Sequence, residues 1–282
     1  MSSPTIHHRQ LAGMNIHWMN YSLDAFLDEQ ARLGFETIEL WASEPHVWID
    51  HASYFDAKLI RHKIEAHGLS VHTLTPENCV YPYQIAAREP DHIERSFGYF
   101  SNGIRMAAEL GCDYMEINSG WGYWNEDRDE AWRRSREMLH RLAEVASEMG
   151  ITLVMETLRP QESQLVVTLA DARRMFEEVD HPSLKVMIDT VAMSVSGETI
   201  DQWFDVFGDD IRNMHFVDCN PFGHLVWGDG NRNMSEWVSA LDRYGYELYL
   251  GQEITDGRYL MDPAAADFRN YHNFERYFDE KI

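Results

Sequence analysis

Cysteine is scarce. Cys79, Cys112 and Cys219 are the only three in 282 residues, and no two share a C-x-x-C spacing. That excludes a disulfide framework and a cysteine-held zinc knuckle, and it makes a reducing, cytoplasmic location the expectation. Basic residues are few as well: 24 Lys and Arg stand against 47 Asp and Glu, for a net charge of −23 spread along the chain. Nucleic acid and anionic membrane surfaces both call for a basic face, so neither is an expected partner. No apolar run is long enough to span a bilayer, and the opening M-S-S-P-T-I-H-H-R-Q has no signal-peptide core. No linker or shift in composition breaks the chain, so residues 1–282 read as one domain. A Gly-rich phosphate loop is missing after G-M-N-I-H-W, where a doubly wound open sheet usually carries one.

What the chain does have is a repeated beat. An amphipathic helix pattern ends at Gly, and a short apolar run follows. The instances are L-G-F-E-T-I-E-L, H-G-L-S-V-H-T-L, L-G-C-D-Y-M-E-I, M-G-I-T-L-V-M-E, F-G-D-D-I-R-N-M-H-F and Y-G-Y-E-L-Y-L-G-Q-E, with H-P-S-L-K-V-M-I-D as a variant. Gly just past a helix takes the left-handed conformation that ends it. Helical faces recur at the right period: Phe97, Phe100, Ile104 and Ala107; Trp132, Leu139, Leu142 and Met149; Ile200, Trp203, Phe204 and Phe207. Thr168 offers an N-cap with an acid three residues on. With a first strand around Met14 to Trp18 and a last helix from about Pro263 to Phe278, the count reaches eight strand–helix units. Eight such units at this length predict a single (β/α)8 TIM barrel.

Chemistry in such barrels gathers at the C-terminal ends of strands. Those ends present Glu39, His72 and Thr75, Glu116, Glu156, Asp189, His215 and Glu253. Taken singly, each has a plainer reading. A carboxylate there often caps the next helix, and a His in N-M-H-F is more often a core residue. Carboxylates ending strands five, six and eight, with His215 on strand seven between them, point instead to a shared cation held by Glu156, Asp189, His215 and Glu253. Oxygen donors with one imidazole suit one divalent ion, Mn2+ first, with Mg2+ or Co2+ as alternatives. Three carboxylates against a divalent ion leave a slight negative excess, which admits a neutral sugar without phosphate clamps. Trp18, Trp41, Trp121 and Trp124 are candidates to stack on such a sugar, or to sit in core or interface. Glu39 and Glu116 are expected as supporting groups or ion-pair partners, and His72 as structural.

Several stretches in combination resemble one family: I-E-L-W-A-S-E-P-H (38–46), T-P-E-N-C-V-Y-P-Y (75–83), M-E-T-L-R-P-Q-E-S (155–163), M-I-D-T (187–190), H-F-V-D (215–218), H-L-V-W-G-D-G (224–230) and Y-G-Y with G-Q-E (244–253). The chain resembles the xylose isomerase-like superfamily of sugar isomerases and epimerases. Within it the likeness is strongest to the fructoselysine 3-epimerase branch and to the tagatose/psicose 3-epimerases. The resemblance implies a metal on Glu156, Asp189, His215 and Glu253, with the two glutamates doubling as an acid–base pair. It also implies that Glu162 lies near the substrate's terminal hydroxyls and that His46 and Tyr83 line the substrate end. His224, Trp18 and Trp121 complete the substrate-binding expectations. Two positions depart from the ketohexose branch: Ala192 stands where D-x-x-H has its His, and Pro221 stands six residues after His215 in place of an Arg. Both departures favour the fructoselysine-type branch, whose substrate carries an amine on C1.

The reaction expected is inversion at C3 of a ketose or ketosamine through a cis-enediolate. Rivals on the same groups are an aldose–ketose isomerase and a keto-sugar or inosose-type dehydratase. The DNA-repair endonuclease branch needs extra metal-binding histidines that this chain lacks at the D-x-x-H and D-x-H positions. A non-catalytic sugar-binding barrel should have lost one of the two glutamates, and both are here. The aromatic-rich loops and the resemblance imply a homodimer or homotetramer.

Overall fold

A computed structural model describes residues 6–50, 54–79 and 83–279. Eight parallel strands close into a barrel. They are β1 (Leu11–Met14), β2 (Thr37–Ala42), β3 (Ser70–Pro76), β4 (Tyr114–Ile117), β5 (Thr152–Met155), β6 (Leu184–Asp189), β7 (Ile211–His215) and, last in the chain, β10 (Leu250–Gly251), which pairs with both β7 and β1. Between β7 and β10 the short strands β8 (Asp218–Asn220) and β9 (Phe222–Leu225) form an antiparallel hairpin outside the barrel sheet. The helices, in order, are α1 (Leu23–Leu33), α2 (Tyr54–Ala66), α3 (Pro90–Leu110), α4 (Arg128–Met149), α5 (Leu169–Val179), α6 (Thr190–Val195), α7 (Ile200–Phe207), α8 (Met234–Tyr244) and α9 (Pro263–Asp279). This is the TIM barrel the repeated units predict.

Local chemistry explains the junctions. Gly34, Gly111, Gly150 and Gly245 follow α1, α3, α4 and α8 in the left-handed conformation, and their amides close the last helical turns. Thr168 and Asp171 form the expected capping box at α5. The barrel strands are buried on both sides, as a parallel sheet covered by helices requires. Phe100, Ile104 and Ala107 are buried, and Phe97 packs under the Arg141 guanidinium at 4.1 Å. Ile200, Trp203, Phe204 and Phe207 all face the core.

Two local expectations need correction. Met149 is 41 % exposed, unlike Trp132, Leu139 and Leu142. It is the last residue of α4, and the apolar closure comes from buried Ile151 after the glycine, whose amide returns to the Ala146 carbonyl. The first strand is Leu11–Met14, not Met14–Trp18, because Ile16–Trp18 form a 3-10 turn. Asn15 breaks the extended backbone there, and its side chain clasps both the amide and the carbonyl of Trp41.

One polar network lies wholly in the interior. The Asp267 carboxylate on α9 accepts from His17 Nε2 (2.8 Å), Trp18 Nε1 (2.8 Å), Gln30 Nε2 (2.6 Å) and Gln252 Nε2 (2.8 Å). Asn270 extends it, donating to Gln252 and accepting from the Trp227 amide. Asp267, His17, Gln30, Gln252 and Asn270 are all fully buried. Gly13 leaves room for it, since a Cβ there would lie 2.0 Å from the Gln30 side-chain oxygen.

Candidate metal and catalytic centre

Each strand end delivers its group to one place. Asp189 and His215 are the last residues of β6 and β7 and sit opposite one another in register. Glu156 follows β5 directly, and Glu253 lies two residues past β10. The four side chains converge: one ligand atom from each lies within 4.8 Å of the other three. His215 Nδ1 is 2.8 Å from Glu156 Oε1 and 3.1 Å from Glu253 Oε2. His215 is fully buried, which satisfies the core reading, yet its ring is aimed at carboxylates on every side. Asp189 also serves both readings. It caps α6, accepting from the Val191 and Ala192 amides at 2.9 and 3.0 Å, while facing His224 at 3.2 Å.

His224 arrives from β9, not from a barrel strand. Its Nε2 lies 2.9 Å from Glu253 Oε2 and 3.2 Å from Asp189 Oδ2, and its Nδ1 is buried without a hydrogen-bond partner. Asp218 anchors the hairpin that carries it. This buried carboxylate gathers the amides of Cys219, Gly228, Gly230 and Arg232 at 2.8–3.0 Å. A Cβ at Gly230 would lie 2.3 Å from Asp218 Oδ1, so the W-G-D-G turn is built around that group.

The electrostatics follow from crowding. Burial pushes the Glu253 carboxyl up, but the two histidines beside it outweigh burial and hold it well below the usual carboxylate range. Burial also pushes Glu156 up, the neighbouring Glu253 and Asp189 charges add to this, and hydrogen bonding to His215 only partly offsets it, leaving Glu156 at about 7. Glu116, buried among Glu156, Glu39 and Glu253, is raised well above its ordinary value, and its Oε2 lacks a hydrogen-bond partner. Both His215 and His224 are lowered by burial and raised further by the surrounding carboxylates, with a net upward shift. Glu39, Glu116, Glu156, Asp189 and Glu253 thus share two imidazoles, an excess of negative charge in a closed space. A divalent cation among oxygen donors and one ring nitrogen fits this set.

The groups open onto a cavity of about 230 Å³ lined by Trp41, Thr75, Asn78, Glu116, Glu156, Arg159, Glu162, Asp189, His224 and Glu253, among others. Glu162 lines this cavity. Its carboxylate is taken up by Arg159, whose amide and Nε donate to Oε2 at 2.9 Å each. Sequence reading missed Arg159, although it sits in the same M-E-T-L-R-P-Q-E-S stretch.

Five residues expected to meet the sugar are not among those lining this cavity. Trp18 is buried, its N–H is used on Asp267 and its ring packs on Phe26 and Tyr21, so it belongs to the core. Tyr83 stacks on Tyr99 at 4.0 Å and donates to Asp50. His46 bridges Asn15 and the Tyr21 carbonyl, and lines a separate groove of about 850 Å³ that shares no lining residue with the cavity. Trp121 is half-buried and absent from the cavity wall, and Trp124 is 63 % exposed. Val80, Tyr81 and Pro82 of the T-P-E-N-C-V-Y-P-Y stretch lie outside the described residues.

The family model for the xylose isomerase-like TIM barrel matches residues 27–271. The chain belongs to that family. Among curated relatives it is 28 % identical over 241 residues to the fructoselysine 3-epimerase of Shigella flexneri, covering 85 % of this chain and 87 % of that one. To the D-psicose 3-epimerase of Ruminiclostridium cellulolyticum it is 24 % identical over 272 residues, covering 87 % and 90 %. Among solved structures, D-psicose 3-epimerase with D-tagatose from Clostridium cellulolyticum H10 superposes with a TM-score of 0.78 at 19 % identity, covering 95 % and 98 %. These relatives of the xylose isomerase-like chain are ketose 3-epimerases by name, and the buried acidic and histidine cluster lies at the strand ends where this fold places its chemistry. No helix among the described residues is long and apolar enough to cross a membrane.

Proposed function

We propose that this protein is a metal-dependent epimerase that inverts C3 of a ketose or ketosamine of the fructoselysine type. One observation carries the reading. Glu156 and Glu253, from the fifth and eighth strands of the barrel, converge beside His215 Nδ1 and Asp189 in a carboxylate-lined cavity. Glu156, Asp189, His215 and Glu253 would hold one divalent ion, Mn2+ in preference to Mg2+ or Co2+. When bound, such an ion supplies Lewis acidity toward the C2 carbonyl, which makes the neighbouring C3–H acidic. One glutamate then takes the C3 proton, and the other returns a proton to the opposite face of the planar enediolate. His224, beside Glu253, and Glu162, fixed by Arg159, are the chain's candidate contacts to sugar hydroxyls.

Among the described residues lining the cavity, Arg159 is the one Lys or Arg, and Glu162 occupies it. This supports an uncharged or amine-bearing sugar over a phosphorylated one. The three cysteines are free, which supports a cytoplasmic enzyme. Assembly into a homodimer or homotetramer from single barrel domains is part of the same reading, and light scattering on the purified protein checks it.

Turnover of a ketose or fructosyl-amine in D2O tests the reaction. Deuterium is expected at C3 of both epimers, with C1 unlabelled and no loss of mass beyond exchange. Label at C1 would mean aldose–ketose isomerisation, and a product lighter by one water would mean dehydration. Either result removes the epimerase assignment while leaving the metal site standing.

A further inference from the structure

His215 has two ring nitrogens, and the metal reading uses one. The other, Nε2, lies 3.0 Å from Glu39 Oε1. Glu39 is the third residue of β2, on the far side of the closing strands from Glu156, and it is fully buried. Besides His215 it accepts from Thr75 Oγ1, donating to Oε1 at 2.5 Å, and from Asn213 Nδ2, donating to Oε2 at 3.3 Å. Asn213 is two residues before His215 on β7, so that strand supplies both the ring and a donor that steadies the ring's partner. Space for the carboxylate is made by β10. A Cβ on Gly251 would lie 2.5 Å from Glu39 Oε2 and 3.3 Å from His215 Cδ2.

We propose that Glu39 is a positioning residue for His215: it accepts the Nε2 hydrogen and so aims Nδ1 into the space shared by Glu156, Asp189 and Glu253. The ring can turn over in its slot only by exchanging a nitrogen for a C–H against Oε1. That exchange would put a C–H against a buried carboxylate and leave Oε1 with Thr75 as its one remaining side-chain donor, so the acceptor favours one orientation. It also fixes which nitrogen carries the hydrogen, leaving the Nδ1 lone pair for a cation. A packing role alone would not call for a carboxylate here, because a buried acid without a Lys or Arg costs more than an apolar group of the same volume. The inference rests on the metal reading of this site.

The experiment measures Mn2+ binding by the free-ion EPR signal in wild type, Glu39→Gln, Thr75→Val and His215→Ala, with thermal unfolding to verify folding. Glu39→Gln is expected to weaken Mn2+ binding by about 10- to 100-fold. Thr75→Val, which removes one bond to Glu39, should weaken it by roughly three- to tenfold. The second readout is the proton NMR spectrum of the Co2+-loaded proteins. The exchangeable ring N–H of the histidine ligand should be present and slow to exchange in wild type, and shifted or fast-exchanging in Glu39→Gln. A merely structural role would not move that proton. If wild type binds Mn2+ and His215→Ala does not, the metal reading stands, and an unchanged affinity and ring proton in folded Glu39→Gln overturns the role of Glu39 alone. If Glu39→Gln does not fold, Thr75→Val decides, and wild-type affinity there overturns the proposal. If wild type binds no Mn2+, the metal reading falls and takes this proposal with it.

Discussion

Replacing His72 with Phe should flatten the acid limb of the stability curve. His72 lies on β3, buried between the rings of Tyr114 and Tyr249 at 5.0 and 4.7 Å, and its Nε2 has no hydrogen-bond partner. Burial is the main cause that lowers its pKa from 6.5 to about 4, with Glu39 and Asp113 opposing weakly. In the unfolded chain the imidazole is free to take up a proton at its ordinary pKa, whereas the folded chain resists. Between those two values the unfolded state binds more protons, so stability falls as pH drops. The shift gives a loss of about 2 kcal/mol by pH 5 and about 3 kcal/mol below pH 4. Urea unfolding followed by tryptophan fluorescence, in EDTA, at steps from pH 7.5 to 4.5, measures this for both proteins. Phe keeps the edge-on ring contacts and removes the titrating nitrogens, so the wild-type curve should fall below the variant's by that amount. Parallel curves across the whole range would refute the reasoning.

The remaining expectations concern the centre itself. His215→Ala should fold, lose its nitrogen ligand and bind Mn2+ far more weakly in a titration calorimeter, whereas full affinity would return His215 to the core reading. Glu156→Gln and Glu253→Gln should each abolish turnover with the circular dichroism spectrum intact, because the amide keeps the shape but cannot cycle a proton. Near-normal turnover in either would remove that glutamate from the acid–base pair.

Residues whose role is set by backbone geometry were legible from the letters alone. Gly34, Gly111 and Gly150 announce helix ends because few other residues adopt that conformation cheaply, and the apolar runs behind them are strands because the sheet is covered on both faces. The same register exposed Glu156, Asp189, His215 and Glu253, each at or just past a strand end. Residues set by tertiary choice were not legible. Trp18 has the composition of a sugar platform, but Asp267, some 249 positions away, claims its N–H. Tyr83 could meet a ligand or another ring, and the ring it stacks on is that of Tyr99. The hairpin that brings in His224 follows a strand already complete at His215, and nothing in the eight strand–helix units signals an extra pair of strands. Its one cue was Asp218 followed by the glycines of W-G-D-G, a carboxylate with backbone amides to gather.

The Asp267 network also bears on how this chain comes together as it is made. Trp18, His17 and Gln30 leave the ribosome well before their acceptor, which lies 249, 250 and 237 positions further on at Asp267. Until α9 emerges, those donors and Gln252 have no carboxylate to meet, and the seam between β1 and β10 lacks its internal tie. The nascent protein therefore carries an unsealed edge until α9 is made, and that helix acts as the clasp.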